Sequence, residues 1–169
     1  MTLPSIKTTS EPPPTPREIT LCFLAEPTDV NFGGKVHGGA VMKWIDQAGY
    51  ACAVGWSGYY CVTIYVGSIR FYKPVLIGSI VTVRARVVLT GKTSMHLNIE
   101  VRAKDPKRNE TIDTTHCIIV FVAIDEKGNP TEVRRWIPTL AEDVELETYA
   151  RNLMALHQTM ESKLNFPSR

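Results

Sequence analysis

At 169 residues the chain is one domain's worth with room for a tail, and long enough to bury a substantial core. It is 44% hydrophobic and 21% charged, ordinary for a globular protein, and its net charge of +2 is too small to argue for nucleic acid. The most apolar stretches, residues 81–89 and 118–124, fall far short of the roughly 18–20 residues that a membrane span needs. The first 17 residues carry no apolar core of a secretory signal.

Residues 1–17 read as a Pro-rich tail. Five of the first 16 are proline, and such a segment buries too little apolar surface to offset its ordering entropy. The body, residues 18–138, opens on a short apolar run at 19–25 that reads as a strand, followed by a Gly-, Asp- and Asn-rich loop over 26–39. Residues 40–54 contain no proline and are apolar on nearly every face, which predicts a helix buried on all sides. Gly55 is its expected C-terminal cap.

Four strands are expected next. Residues 60–71 are β-rich, with Val62, Ile64 and Val66 on one parity. Residues 79–90 and 93–104 alternate: Val81, Val83, Ala85 and Val87 in the first, Met95, Leu97, Ile99, Val101 and Ala103 in the second. Against the second set stand Ser94, His96, Asn98, Glu100 and Arg102, so this strand should have one wet face. Gly91 and Lys92 form the hairpin turn between the two, and 105–113 reads as a polar loop. Residues 115–125 are apolar on both parities, hence a central strand, closed by turn chemistry at 125–130.

The last segment, residues 139–169, reads as a helix. Thr139 and Glu142 are spaced as a capping box. Tyr149, Leu153, Leu156, Met160 and Leu164 recur at helical spacing, so this helix should cover an edge or a neighbour.

One buried helix followed by a meander of long antiparallel strands is not a doubly wound sheet. The simplest burial wraps the sheet around the helix, an α+β arrangement known as the hotdog fold. One curled sheet leaves an edge and part of the helix open, which predicts a dimer.

The four cysteines, Cys22, Cys52, Cys61 and Cys117, lie far apart without a C-x-x-C pair. That excludes a patterned disulfide framework or zinc site, and points to a reducing, cytoplasmic compartment. Gly91-Lys92-Thr93 resembles the end of a phosphate loop, but Arg86 stands where its first glycine belongs. Gly55-Trp56-Ser57-Gly58-Tyr59 fails G-x-S-x-G at its last position. The four histidines have no metal-ligand spacing.

Chemistry concentrates before and within the buried helix. Gly38 and Gly39 open it, where unsatisfied backbone N–H groups can hold a developing oxyanion. A tight turn is the plainer explanation of the pair. Asp46 lies two turns inside, a costly place for a carboxylate unless it is paired, with Lys43 for example, or used as a base or nucleophile. Asn31 supplies an amide for orienting water or substrate, or an ordinary turn. His37 packs beside the site.

The stretch N-x-x-G-x-x-H-G-G-x-x-M-x-x-x-D, carried by Asn31, Gly34, His37, Gly38, Gly39, Met42 and Asp46, resembles the active-site segment of hotdog acyl-CoA thioesterases. The resemblance continues through Arg70-Phe71-Tyr72-Lys73-Pro74-Val75 with Gly78, through Gly91 to Met95, and through 121–125 with Gly128 and Pro130. It covers about residues 20–138. Phenylacetyl-CoA-type thioesterases share the first motif, and the later segments favour the cytosolic acyl-CoA hydrolase subfamily. The chain departs from that subfamily with Lys92 in place of an arginine and with its Pro-rich tail.

The resemblance implies hydrolysis of an acyl-CoA thioester to CoA and a carboxylic acid, with no metal or redox cofactor. It implies Asp46 as base or nucleophile, the Gly39 N–H as oxyanion donor, and Asn31 orienting water or substrate from the opposite protomer. Gly38, His37, Arg70, Lys73, Lys92, Thr93 and Ser94 are the implied substrate-binding residues. The implied assembly is a homodimer, itself able to build a hexamer as a trimer of dimers. The alternative of a different class is a hotdog protein that holds acyl-CoA without cleaving it.

Overall fold

The computed structural model describes residues 16–163; Leu164 and nearly all of the expected tail lie outside the described residues. Five strands form one antiparallel sheet: β1 (Glu18–Leu24), β2 (Tyr60–Phe71), β3 (Ile80–Thr90), β4 (Ser94–Asp105) and β5 (Glu110–Ile124), in the order β1-β3-β4-β5-β2. The long helix α1 (Gly38–Ser57) lies on one face and α2 (Ala141–Lys163) on the other. This is the expected hotdog arrangement.

The inward parity of β4 is as the alternation predicts: Met95, Leu97, Ile99, Val101 and Ala103 are all buried. They meet Val41, Trp44, Ile45, Ala48, Cys52, Ala53 and Trp56 of α1. The helix is not buried all round, however. Met42, Asp46 and Tyr50, spaced four apart, form an exposed stripe along it, because a single sheet covers only one side. It also runs past Gly55 to Ser57. Gly58, at φ 74°, is the residue that ends it, with its N–H donating to Val54 O at 2.8 Å. Only the glycine in the left-handed region can play that part at no steric cost.

Two further expectations need correction. The loop after β4 is short, since Asn109 turns in the left-handed region (φ 52°) and β5 already begins at Glu110. The outer face of the sheet is not uniformly wet. Val88, Leu89, Ile118 and Val120 are buried there under Leu146, Ala150, Leu153 and Met154 of α2. His96 is carried under with them, and burial, with the charge of Arg151, pushes its pKa down to about 4.

Ion pairs at the first turn fix the rotation of α2. Glu142 pairs with the buried Arg86 at 2.8 Å and Asp143 with Arg17. Glu142 is therefore not part of a capping box with Thr139; the helix begins at Ala141, and the amides of Asp143 and Val144 donate to Leu140 O. With this rotation Tyr149, Leu156 and Met160 stay exposed while Ala150 faces the sheet. Arg17 also donates to Val87 O at 3.1 Å and lies over the Trp136 ring at 4.0 Å. This residue of the expected tail is a clamp joining β3, α2 and the segment that leads to α2.

Asp143 is almost fully buried, so removing its partner strands a charge. Arg17→Met should cost about 3 kcal/mol and lower the melting temperature by roughly 6–12 °C, read by thermal unfolding. Adding Asp143→Leu should restore most of the loss.

Candidate active site

The segment before α1 is held by its own backbone and side chains. Pro27–Asp29 forms a 3-10 turn, and the His37 N–H donates to Asp29 O at 2.7 Å. The Asn31 carboxamide oxygen accepts from the Gly33 and Lys35 amides at 2.9 and 3.1 Å. Asn31 is thus an Asx-type turn residue as well as a candidate for chemistry, and its NH₂ remains the side-chain donor.

His37 does not merely pack beside the site; it is the N-cap of α1. Its Nδ1 accepts from the Gly39 N–H at 2.9 Å, which places the ring proton of the neutral imidazole on Nε2. A Cβ at position 39 would sit 3.0 Å from that Nδ1, tight enough to press on the capping ring. The Gly39 amide, expected as the oxyanion donor, is therefore engaged by His37. Among the described residues, the Gly38 amide has no such partner.

Asp46 stands on the exposed stripe of α1. Its Oδ1 accepts from the Thr63 hydroxyl at 2.6 Å, and no ion pair joins it to Lys43. Thr63 sits at a bulge in β2, where Ile64 is the extra residue between the pairs Thr63↔Phe121 and Tyr65↔Val120. A bulge re-aims side chains. Here it leaves Thr63 toward α1, turns Tyr65 out onto His157 of α2, and returns Val66 to the α1 side. The expected common parity of Val62, Ile64 and Val66 is broken at this point, leaving Ile64 exposed.

Two clefts flank the amino end of α1. One, of about 380 Å³, lies beside Asp46 and is walled by Met42, Ile45, Val66, Ile69 and Ile119, with Gly39 and Lys43 also in its lining. The other, of about 310 Å³, contains Asn31, Gly38, Lys35, Phe71, Tyr72 and Lys73. Within one chain, then, Asp46 is brought to Gly39, and Asn31 to Gly38 and Lys73. Asn31 and Asp46 open into different clefts.

Arg70 lies between Ile69 and Phe71 and lines neither cleft. Lys92 and Thr93 are in the β3–β4 turn and Ser94 opens β4; these too line neither. Lys92 pairs with Glu132 at 3.2 Å; the Thr93 carbonyl accepts from Ala123 and the Ser94 carbonyl from Gly91. A single chain thus does not gather these four with the candidate centre. Burial pushes the thiols of Cys52 and Cys117 up to about 12, which makes them inert core residues rather than nucleophiles. Among the described residues no three of His, Cys, Asp and Glu come together as metal ligands.

Residues 33–109 match the thioesterase superfamily. The chain is 34% identical over 116 residues to the acyl-CoA thioester hydrolase YciA of Salmonella typhimurium, covering 67% of this chain and 87% of that one. An apo-hexameric acyl-CoA thioesterase superposes with a TM-score of 0.82 at 26% identity, covering 87% of this chain and 95% of that one. The acyl-CoA hydrolase of Staphylococcus aureus, in complex with butyryl coenzyme A, coenzyme A and coenzyme A disulfide, gives 0.79 at 26% identity, covering 87% and 91%. Variants of that hydrolase have been solved with an asparagine, an aspartate and a threonine each replaced by alanine. Its aspartate follows the asparagine by 15 residues and the threonine follows the aspartate by 17, the spacing of Asn31, Asp46 and Thr63.

The cap is open to direct test. His37→Ala removes the acceptor for the Gly39 amide and should cost about 1 kcal/mol, lowering the melting temperature by roughly 2–4 °C. His37→Asn, whose side chain also accepts, should recover most of this in the same thermal scan.

Proposed function

The chain belongs to the thioesterase superfamily, among its acyl-CoA thioester hydrolases, and from that premise we propose that Asp46 and the amino end of α1 form its hydrolytic centre, completed by Asn31 of a second copy. The observation that carries this reading is the Asp46–Thr63 hydrogen bond at 2.6 Å. It fixes one carboxylate oxygen beside an apolar cleft and leaves Oδ2 to act. The matching spacing of asparagine, aspartate and threonine in the S. aureus hydrolase supports the same three residues.

The overall change is acyl-S-CoA plus water to carboxylic acid plus CoA thiol. With Asp46 as base, Oδ2 takes a proton as water attacks the thioester carbonyl; with Asp46 as nucleophile, Oδ2 attacks and water releases the acyl group. Charge grows on the carbonyl oxygen in both, where the amino end of α1 stabilises it. The Gly39 amide, in the lining of the Asp46 cleft, is the donor once the His37 ring turns aside. The C–S bond breaks: on the base route the CoA sulfur leaves with the proton returned from the carboxyl group, and on the nucleophile route it leaves as the thiolate, which takes its proton from the water that then hydrolyses the acyl–Asp46 anhydride. No metal or redox cofactor is needed, and coenzyme A is part of the substrate.

The second copy is argued from incompleteness. Asn31 and Asp46 open into separate clefts, β2 is an edge strand, and the stripe Met42, Asp46, Tyr50 is uncovered. A twofold axis along this edge sets the Asn31 cleft of each protomer against the Asp46 cleft of the other. The hexameric thioesterases among its structural neighbours support a trimer of such dimers. In that assembly Lys73, with Arg70, Lys92, Thr93 and Ser94, is a candidate for the phosphates of CoA. Unpaired cysteines fit a cytoplasmic location, and no described helix is long and apolar enough to cross a membrane.

Asp46→Asn keeps the shape and removes the proton acceptor. Turnover, followed by thiol release from acyl-CoA, should fall by about 10²–10⁴ with the melting temperature almost unchanged. Retention of most activity would exclude Asp46. A protein that binds acyl-CoA but releases no thiol even as wild type would make the chain a carrier.

The shared site is tested by mixing. Asn31→Ala and Asp46→Ala chains, each inactive alone, are co-expressed. Half of the randomly formed dimers are mixed, and each mixed dimer carries one native site, so about a quarter of wild-type activity should return. No return, with mixed dimers confirmed by mass, places both residues in one chain's site.

A further inference from the structure

We propose that Tyr65 is a positioning residue for the hydrolytic centre. Its ring, seated against Gly67 and met by His157 of α2, pins the bulged part of β2 in the register that turns Thr63 to Asp46. The inference rests on Asp46 being the reacting carboxylate, as argued above.

Thr63, Val66 and Ile69 are spaced three apart, yet all serve the α1 face. Thr63 reaches Asp46, and Val66 and Ile69 wall the cleft beside it. In a regular strand, residues three apart lie on opposite faces. Two irregularities make the difference. Ile64 is the extra residue between Thr63↔Phe121 and Tyr65↔Val120. Between Gly67↔Ile118 and Arg70↔His116, Ser68 and Ile69 stand opposite Cys117 alone. Ser68 turns there in the left-handed region, at φ 52°, a conformation that a residue with a side chain keeps only where its surroundings hold it.

Little holds the stretch between the two bulges. Within one chain β2 pairs with β5 alone. A slip of one residue would exchange the faces of residues 65–67 and carry Val66 outward. Ile64, Val66 and Ser68 are exposed. Tyr65 is the side chain of this stretch that packs into a core, the outer-face cluster of Val88, Leu89, Ile118 and Val120 beneath α2.

The ring has a dedicated seat. A Cβ added at Gly67 would run into Tyr65 Cε1 and lie 2.6 Å from its Oη, so the ring lies against the buried Gly67 backbone. The His157 ring of α2 meets it with centroids 4.3 Å apart. A chain of contacts thus runs through the sheet, from His157 and Tyr65 on the α2 face, across the bulge at Ile64, to Thr63 and Asp46 on the α1 face.

The test is steady-state kcat and KM, by thiol release from acyl-CoA, with the full-length protein. Thr63→Val removes the hydroxyl that orients Asp46, and kcat should fall about ten- to a hundredfold, as expected of a hydrogen bond to a charged group. Tyr65→Ala should lower kcat at least about tenfold with KM changed less than about threefold. Tyr65→Phe keeps the ring and should keep kcat. Because Tyr65 acts through Thr63, Tyr65→Ala added to Thr63→Val should cost less than about threefold more. Gly67→Ala takes away the seat of the ring and should repeat the pattern, roughly tenfold alone and less than about threefold beside Thr63→Val; it decides the matter if Tyr65→Ala does not fold. Wild-type kcat in a folded Tyr65→Ala or Gly67→Ala, or a loss equally large with and without the Thr63 hydroxyl, overturns the proposal. Full activity in Thr63→Val or Asp46→Asn is a different result, and overturns the catalytic assignment on which this one rests.

Discussion

The direct seat of Gly49 on the Phe121 ring is the contact from which the geometry of the site follows. A side chain at 49 would meet that ring at 2.8 Å, so α1 rests on β5 backbone-close at this turn, with Ala48, Cys52 and Ala53 buried around it. Small residues on the contact face let a helix approach its sheet, and the large aliphatics on both sides then fill the space left where the two diverge. Toward the amino end of α1 they do not fill it completely. The unfilled part is the cleft beside Asp46, bounded by Ile45, Ile69 and Ile119. The cavity is thus a consequence of how the helix sits on the sheet, with a close contact midway along it at Gly49 and the cleft toward its amino end.

The amino end of α1 combines two demands that ordinarily conflict. A helix start is stabilised when its first amides are capped, whereas an oxyanion site needs amides left open. Here the imidazole of His37 satisfies the Gly39 amide while the Gly38 amide is left open. An imidazole is a weaker and more mobile cap than a short carboxylate, and its acceptor vanishes on protonation. The helix keeps its start, and the negative potential that an aspartate cap would have placed at the amino end of α1 is avoided.

Much of this was legible in the residues and some was not, for reasons that differ. The inward parity of β4 and the apolar helix are local periodicities, and both survive in the fold. Asp46 stood out because a carboxylate on such a helix needs an explanation. Thr63 did not stand out, since its role depends on a bulge at Ile64 and on pairing with β5, neither of which a single strand displays. The expectation of an all-round buried helix failed because hydropathy reports what can be buried by any neighbour, a second copy included. The buried stripe of α2 was misplaced by one position because the ion pairs of Glu142 and Asp143 with distant arginines, not the spacing of its leucines, set its rotation.

Helix geometry keeps Asn31 and Asp46 of one chain in separate clefts. From Gly38 to Asp46 a helix rises about 12 Å, and the Asn31 turn lies beyond the Gly38 end, tied back by its contacts with Gly33 and Lys35. The reach of an asparagine side chain is a small fraction of that distance. The carboxylate also faces outward, on the stripe with Met42 and Tyr50, whereas the Asn31 cleft opens on the opposite flank with Phe71 and Lys73. Lengthening the loop would not help, because it would have to cross the amide end where the carbonyl must sit. A twofold axis solves the problem without any new sequence. In the proposed dimer it would return the same loop from the other side, so that each helix supplies a carboxylate to one centre while the loop before it serves the other.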